Sequence, residues 1–142
     1  MPSPSLVKLS GVSAASVHAN WHRFYSFIKR VTDRNGDDPG EIYKAIMAEK
    51  AQLLIGTDEV GRVKAVCVTE IIIKGKRKVC NIWTLAADVP RETFMPHMDK
   101  IEAWAKEQEC VAMRMAEARM GWKRVLKPRG YRAKAIILEK EL

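Results

Sequence analysis

The fold is decided by residues 78–131, which read KVCNIWTLAADVPRETFMPHMDKIEAWAKEQECVAMRMAEARMGWKRVLKPRGY. Residues 79–85 are apolar and rich in β-branched side chains, as in a buried strand, and residues 110–115 form a second segment of this kind. About a dozen residues with helical spacing lie between them, so the pattern predicts a strand, a helix and a second strand. Such a crossover makes the two strands parallel neighbours, and ligands usually bind beyond the carboxyl ends of strands in these sheets. The sequence therefore predicts a ligand site at residues 85–93.

An amphipathic helix is the clearest element before this stretch. Ser13 is a candidate N-cap, and Gly36 can adopt the left-handed conformation that ends helices. Between them, the residues predicted to face the core recur at intervals of three and four: Val17, Trp21, Phe24, Ile28 and Val31. Asp38 and Pro39 then provide the cap and the first turn of a second helix.

The remaining strands and the start of the crossover helix follow from the same kinds of signal. Residues 6–9 form a candidate edge strand, and three strands joined by polar turns predict an antiparallel meander at residues 52–56, 63–73 and 79–86. The crossover helix is predicted to begin with Thr93 as its cap, which puts Pro96 in the first turn, where its missing N–H costs little. The stripe expected to be buried on this helix is Phe94, Met98, Ile101 and Ala105. A last strand is predicted at residues 131–138.

The composition indicates one globular domain that spans residues 1–142. The chain is 47% hydrophobic and 30% charged, with a net charge of +8. The first dozen residues lack the pattern of a signal peptide and no apolar run is long enough for a membrane span, so we expect a cytoplasmic location and no membrane partner. Cys67, Cys80 and Cys110 fall in predicted strands and match no zinc motif, and His18 and His22 lack a third ligand, so no metal site is predicted.

The predicted order β-α-α-β-β-β-α-β-α-β, an α/β arrangement with a mixed sheet, resembles that of the GNAT superfamily of N-acyltransferases. The segment GWKRVLKPRGY is similar to the final helix of that family and to the Gly-aromatic pair that follows it, here Gly130 and Tyr131. The same ending is similar to that of small GNAT-like proteins encoded by tailed bacteriophages. This second resemblance implies a virion or the host cytoplasm as the location.

The phosphate-binding loop departs from the GNAT pattern. The family has R/Q-x-x-G-x-G/A after the strand, and the resemblance puts Thr93 and Met95 at the two glycine positions. A phosphate cradle needs converging backbone N–H groups without a Cβ in the way, so we expect Met95 to obstruct it. The family's general-acid tyrosine, four residues before the final glycine, corresponds to Leu126. The sequence thus indicates a degenerate acyl-CoA loop.

Acetyl-CoA is the cofactor that the resemblance implies. Its pantetheine arm would pair with the backbone of four residues at the end of the strand: Thr84, Leu85, Ala86 and Ala87. Its pyrophosphate would meet the N-terminus of the following helix near Thr93, where backbone N–H groups and the helix dipole favour an anion.

Two carboxylates are candidate catalytic groups. Glu70 lies in an otherwise apolar strand, where a partly desolvated carboxylate would suit the role of proton acceptor for an amine. Alternatively, it faces solvent or pairs with a lysine such as Lys64. Asp88 is placed to assist amine binding at the mouth of the loop, or it is an ordinary turn residue.

Positive charge is concentrated at residues 114–134, which contain eight basic residues and one acid. The candidate anion-binding residues are Lys123, Arg124, Lys127 and Arg129. Three interpretations remain open: a solvated helix face, contact with a phosphate of coenzyme A, or binding of nucleic acid or another anionic partner. Trp122 and Tyr131 are placed for base stacking.

Two functions fit the sequence. In the first, a GNAT-like protein has lost efficient acyl transfer and acts by binding a partner, such as a virion or host component. In the second, the chain is an active acetyl-CoA-dependent N-acetyltransferase with an unidentified amine as acceptor. The sequence does not decide whether the chain is an enzyme. An exposed edge strand would also allow a homo-oligomer.

Overall fold

The computed structural model describes residues 6, 8–115, 120–134, 138 and 140–141. A single sheet in the order β1-β2-β3-β4-β5 lies between two layers of helices. Its strands are β1 (Lys8–Val12), β2 (Ala51–Thr57), β3 (Val63–Lys74), β4 (Arg77–Ala87) and β5 (Ala112–Arg114). The helices are α1 (Ala14–Ala19), α2 (Trp21–Asn35), α3 (Pro39–Met47), α4 (Arg91–Glu107) and α5 (Met120–Leu126), and a 3-10 turn at Lys127–Arg129 follows α5.

The antiparallel meander and the parallel crossover are both confirmed. Strands β1 to β4 pair antiparallel in sequence order, and β5 pairs parallel to β4. Strand β3 is central, and residues 65–69 are all buried because helices cover both faces of the sheet at that point. The mixed α/β fold class predicted from the order of elements is the one observed.

Helices α1, α2 and α3 cover one face of the sheet. Their buried side chains include Val17, Phe24, Ile28 and Ile42, which pack with residues of β2 and β3. Each such side chain contributes about 1.5–3 kcal/mol when it leaves water. The predicted caps are confirmed: Ser13 accepts from the Ser16 N–H, and Asp38 accepts from the Gly40 N–H. Gly36 ends α2 at a φ of 82°, a conformation that other residues adopt at a cost.

The single first helix predicted from the sequence is wrong in one respect, because Asn20 divides it. The Asn20 amide donates to the Ser16 carbonyl at 2.9 Å, and its backbone φ of −119° ends α1 before α2 begins at Trp21. Asparagine competes with helical hydrogen bonds in this way because its side chain bonds to the backbone locally.

Helices α4 and α5 cover the other face. The predicted stripe of Phe94, Met98, Ile101 and Ala105 is buried. The ring of Phe94 meets that of Trp122 edge-on, with centroids 6.0 Å apart and an interplanar angle of 86°. The predicted start of α4 is wrong, since the helix begins at Arg91 with Pro90 as its N-cap. Pro96 therefore lies inside the helix rather than in its first turn.

The last part of the chain also differs from expectation. Strand β5 has three residues, fewer than the six predicted, and residues 131–134 form no strand. The rest of the predicted final strand includes residues 135–137, which lie outside the described residues. Tyr131 packs against α4 instead, donating its hydroxyl hydrogen to Glu102 at 2.8 Å. Gly130 has a φ of 90°, as expected for the glycine that closes the final helical turn.

Candidate functional site

The carboxyl half of β4 provides a free backbone edge. The parallel ladder with β5 covers only Val79, Cys80 and Asn81, after which β4 continues to Ala87. Over residues 82–87, the described part of the chain supplies no ladder partner on the β5 side. Unpaired N–H and C=O groups of this kind can bind an extended ligand as an added strand would. This edge contains four of the predicted cofactor residues: Thr84, Leu85, Ala86 and Ala87.

A cleft of about 220 Å³ opens at the end of this edge. Its floor is formed by Leu85, Ala86 and Ala87 of β4, and the loop that follows contributes Val89 and Pro90. Its remaining walls come from Arg30, Val31 and Arg34 of α2, from Arg91 of α4 and from Trp122 of α5. Three arginines therefore surround one small cleft, and their positive charge favours an anion there.

The arginines are held by neighbours within the site. Arg30 Nη1 lies 2.8 Å from Asp88 Oδ1, and its guanidinium also lies 4.8 Å from the ring centroid of Phe27. The guanidinium of Arg91 lies 5.5 Å from the ring centroid of Trp122. Its Nε is buried without a hydrogen-bond partner among the described residues. A buried charged donor without a partner is costly, so an acceptor that reached this group would be stabilising.

Thr93 is not the helix cap that the sequence predicted. It lies in the first turn of α4, and its N–H donates to the Pro90 carbonyl at 2.9 Å. The N–H groups of the preceding residues, Arg91 and Glu92, belong to the set that a helix start leaves without intrahelical acceptors. The positive end of the α4 dipole therefore faces the same region as the three arginines.

The expected obstruction by Met95 is also wrong. Met95 is only 9% exposed and packs in the core with Trp122 and other residues of the α4 face. It does not line the cleft, because α4 starts earlier than predicted and so turns this side chain inward. The loop lacks glycine, but it presents no large side chain other than Arg91 to the cleft.

Glu70 and Asn81 form a polar pair on β3 and β4. The Asn81 amide donates to Glu70 Oε1 at 3.0 Å, and the two residues face each other in the ladder. Asn81 is 7% exposed, and its Oδ1 has no hydrogen-bond partner among the described residues. Glu70 thus pairs with an amide and not with Lys64.

A bulge lies between this pair and the cleft. Val68 pairs with Thr84 and Thr69 pairs with Ile82, so Trp83 is an additional residue in β4. Thr84, next to the bulge, is 1% exposed, and its Oγ1 also lacks a partner in the described structure. Two buried polar atoms that lack partners among the described residues therefore lie along β4, one opposite Glu70 and one nearer the cleft.

The structure does not bring Asp88 and Glu70 together. Asp88 follows Ala87, which pairs with Ala65, whereas Glu70 lies five residues further along β3. At about 3.4 Å per residue this separates them by roughly 17 Å. Asp88 forms an ion pair with Arg30, which lines the cleft.

Two of the four predicted anion-binding residues are engaged with α4. Arg124 lies 3.5 Å from Glu92, and Arg129 bonds to Asp99 and lies 3.7 Å from Glu102. Lys123 and Lys127 are exposed. Acidic side chains of α4 thus neutralise part of the positive charge that the sequence concentrates at residues 114–134.

We expect Tyr131 to make the free energy of unfolding decrease as pH rises into the alkaline range. Burial, with the Glu102 hydrogen bond as a second cause, raises the pKa of Tyr131 above the ordinary value of 10.0. Because the unfolded chain ionises first, this contribution is complete below pH 10 and is lost as pH rises toward the folded pKa. We expect Tyr131→Phe to be less stable than wild type by about 1 kcal/mol at pH 7, with a smaller deficit at pH 11. Urea unfolding at both values measures this, and a deficit that grows with pH would contradict it.

The cysteines and histidines offer no catalytic group near the cleft. Cys67 and Cys80 are buried, as predicted, and burial raises the pKa of Cys80 to about 12. Both thiols therefore stay protonated at neutral pH. Cys110 precedes β5 and is only half-buried, so its predicted strand position is wrong. His18 Nδ1 lies 2.5 Å from the Tyr43 hydroxyl, and the described residues contain no group of three metal-ligating side chains.

No described helix is both long enough and apolar enough to cross a membrane. No protein-family model matches the sequence, and no curated protein matches it.

Solved structures share the architecture at low sequence identity. An acetyltransferase from Trypanosoma brucei has 13% identity and a TM-score of 0.67, with 95% of this chain and 99% of that chain covered. An aminoglycoside acetyltransferase from an uncultured soil metagenomic sample has 9% identity and a TM-score of 0.69, with 95% of each chain covered. A ribosomal-protein-alanine N-acetyltransferase from Brucella melitensis biovar Abortus 2308 has 8% identity and a TM-score of 0.67, covering 96% and 100%. The chain therefore has the fold of GNAT acetyltransferases.

Proposed function

We propose that the chain binds an acyl-coenzyme A in the cleft at the end of β4 and transfers the acyl group to an amine. One observation supports this proposal. Arg30, Arg34 and Arg91, the first residue of α4, line the cleft at the end of β4, beyond the residues of β4 that pair with β5. Guanidinium groups bind phosphate through paired hydrogen bonds, and a helix N-terminus adds backbone donors.

The residues present fit such a ligand without a glycine-rich loop. In a glycine loop, backbone N–H groups surround the phosphates. Here the arginine side chains supply the donors instead, and the buried Nε of Arg91 has an unused one. The free edge at residues 82–87 offers backbone groups to an amide-containing arm, and Thr84 Oγ1 lies along it with no partner among the described residues.

The polar pair beyond the bulge would serve the acceptor. A bound acyl thioester would supply an electrophilic carbonyl carbon. Glu70 can accept a proton from an incoming ammonium, because an amine must be neutral to act as a nucleophile. Asn81 holds this carboxylate in place through its 3.0 Å hydrogen bond, and its unused Oδ1 can accept a hydrogen from the same ammonium.

A second candidate is a protein that keeps the scaffold and acts by binding a virion or host partner without turnover. One observation favours it. Leu126, at the position of the family's general-acid tyrosine, is 3% exposed and packs in the core. The Tyr131 hydroxyl is directed to Glu102. The described residues thus place no tyrosine hydroxyl at that position to protonate a leaving thiolate.

Calorimetry with coenzyme A and acetyl-coenzyme A tests binding, and release of free coenzyme A in the presence of a panel of primary amines tests transfer. We expect micromolar binding. Glu70→Gln should leave binding within about twofold and lower kcat/KM by about 100-fold or more, the usual contribution of a general base. Glu59→Gln, an exposed change in the β2–β3 turn, is the matched control. Binding without turnover on any amine would favour the second candidate, and no binding at millimolar coenzyme A would exclude the first.

A further inference from the structure

The hairpin that joins β3 and β4 extends beyond the rest of the sheet. Strand β2 ends its pairing with β3 at Glu70, so among the described strands only β4 pairs with residues 71–74. On the other side, β5 reaches only to Val79. The tip is therefore a two-stranded ribbon. Gly75, at a φ of 62°, takes the first central position of a two-residue turn, which fixes the strands closely together.

The ribbon tip is strongly basic. Residues 74–78 include four basic residues: Lys74, Lys76, Arg77 and Lys78. No acidic residue occurs between Glu70 and Asp88. The first three are exposed and Lys78 is half-buried. None of these four side chains forms an ion pair with a residue that the structure describes. The tip differs in this respect from residues 120–131, where carboxylates of α4 engage Arg124 and Arg129.

Strand alternation distributes these charges over both surfaces of the ribbon. Lys74 pairs with Arg77 and Ile73 pairs with Lys78, so the two pairs point to opposite faces. Ile73 is 63% exposed and gives the tip an apolar side chain beside the basic ones. A ribbon with cations on both faces matches a groove with anionic walls on both sides. The major groove of B-form DNA is about 12 Å wide and admits a two-stranded β-ribbon.

We propose that the β3–β4 ribbon binds double-stranded DNA, with its tip in the major groove and its basic side chains on the flanking phosphates. This proposal is independent of the proposed acyl transfer, because the ribbon lies at the end of β4 opposite the cleft. A different explanation of the lysines is that they protect an exposed strand edge from aggregation. Acidic residues would protect the edge equally well, whereas they would repel DNA, so charge reversal separates the two explanations.

The test is fluorescence anisotropy with a labelled 20-base-pair DNA duplex between 50 and 200 mM salt. Four phosphate contacts predict a slope of about −3.6 in log K against log salt, or about 100-fold weaker binding over this range. The triple variant K74E/K76E/R77E should bind at least about 30-fold more weakly at 50 mM salt, and its salt slope should fall by about 2.7 in magnitude.

The matched control is K8E/R23E/K100E, which changes the net charge equally, from +8 to +2, at exposed residues of β1, α2 and α4. It should bind within about threefold of wild type. Equal losses in the two variants, or a larger loss in the control, would overturn the proposal. So would an RNA duplex of the same sequence that binds as tightly as the DNA, since A-form RNA has a major groove too narrow for side chains to read. Absence of DNA binding by the wild type, with binding to anionic phosphatidylserine vesicles, would assign the ribbon to a membrane surface instead.

Discussion

Coenzyme A should bind at least about 100-fold more weakly when Arg30 and Arg91 are both replaced by glutamine. Both side chains line the cleft, and Arg91 Nε is a buried donor without a partner among the described residues. A hydrogen bond that involves a charged group contributes about 1.5–3 kcal/mol, so losing two exceeds a 100-fold change in Kd. Glutamine keeps part of the length and polarity of each side chain but removes the charge and the guanidinium donors.

Arg23→Gln combined with Lys100→Gln is the control for this double variant. These residues are exposed on the same two helices, α2 and α4, but do not line the cleft. We expect the control to bind coenzyme A within about threefold of wild type by calorimetry. Equal weakening in both double variants would show that overall charge, and not the cleft, attracts the ligand. The thermal midpoint of each variant reports whether loss of the Arg91–Trp122 contact has loosened the fold.

Phe94→Ala should destabilise the protein by about 4 kcal/mol. Phe94 is fully buried at 0% exposure, and its replacement by alanine removes a large volume from a packed core, a change that costs about 3–5 kcal/mol. The edge-on contact with Trp122 is lost as well. Since Trp122 lines the cleft, coenzyme A should also bind more weakly to the folded variant.

Urea unfolding measures the stability of this variant, and Tyr25→Ala provides the comparison. Tyr25 is an aromatic residue of α2 that is 40% exposed, so its loss should cost less than about 1 kcal/mol. A loss below 1 kcal/mol for Phe94→Ala as well would mean that α4 does not depend on this side chain for its position.

The sequence predicted the parts of the fold in which hydrophobic spacing and turn chemistry agree. The stripe of Phe24, Ile28 and Val31 lies on the core side of α2, and the caps Ser13 and Asp38 are in place. Helix boundaries were less predictable where a residue such as threonine can either cap a helix or lie in its first turn. Thr93 is a frequent cap, but Pro90 fixes the backbone earlier and starts α4 at Arg91.

The site was predictable only in part, because its charged residues come from separate elements. The carboxyl end of β4 follows from the crossover pattern, and Thr84 to Ala87 lie there as expected. Arg30 and Arg34 belong to α2, more than fifty residues earlier, and a search for glycines after β4 does not detect them. One feature of the sequence could have indicated them. Arg30 and Arg34 are four residues apart on α2, so they lie on the same side of the helix, next to the buried Val31.

The short ladder between β5 and β4 has a consequence for the order in which the parts of the chain fold. The antiparallel strands are neighbours in sequence and can pair early during synthesis, while the parallel strand must wait for the whole of α4. With only three residue pairs in that ladder, docking of the last segment depends on contacts such as Phe94 with Trp122. A growing chain that ends at residue 107 would thus hold four strands and all three helices of one layer, yet lack one wall of its cleft. We therefore expect the chain to become able to bind a ligand only late in folding, when Trp122 packs at the cleft.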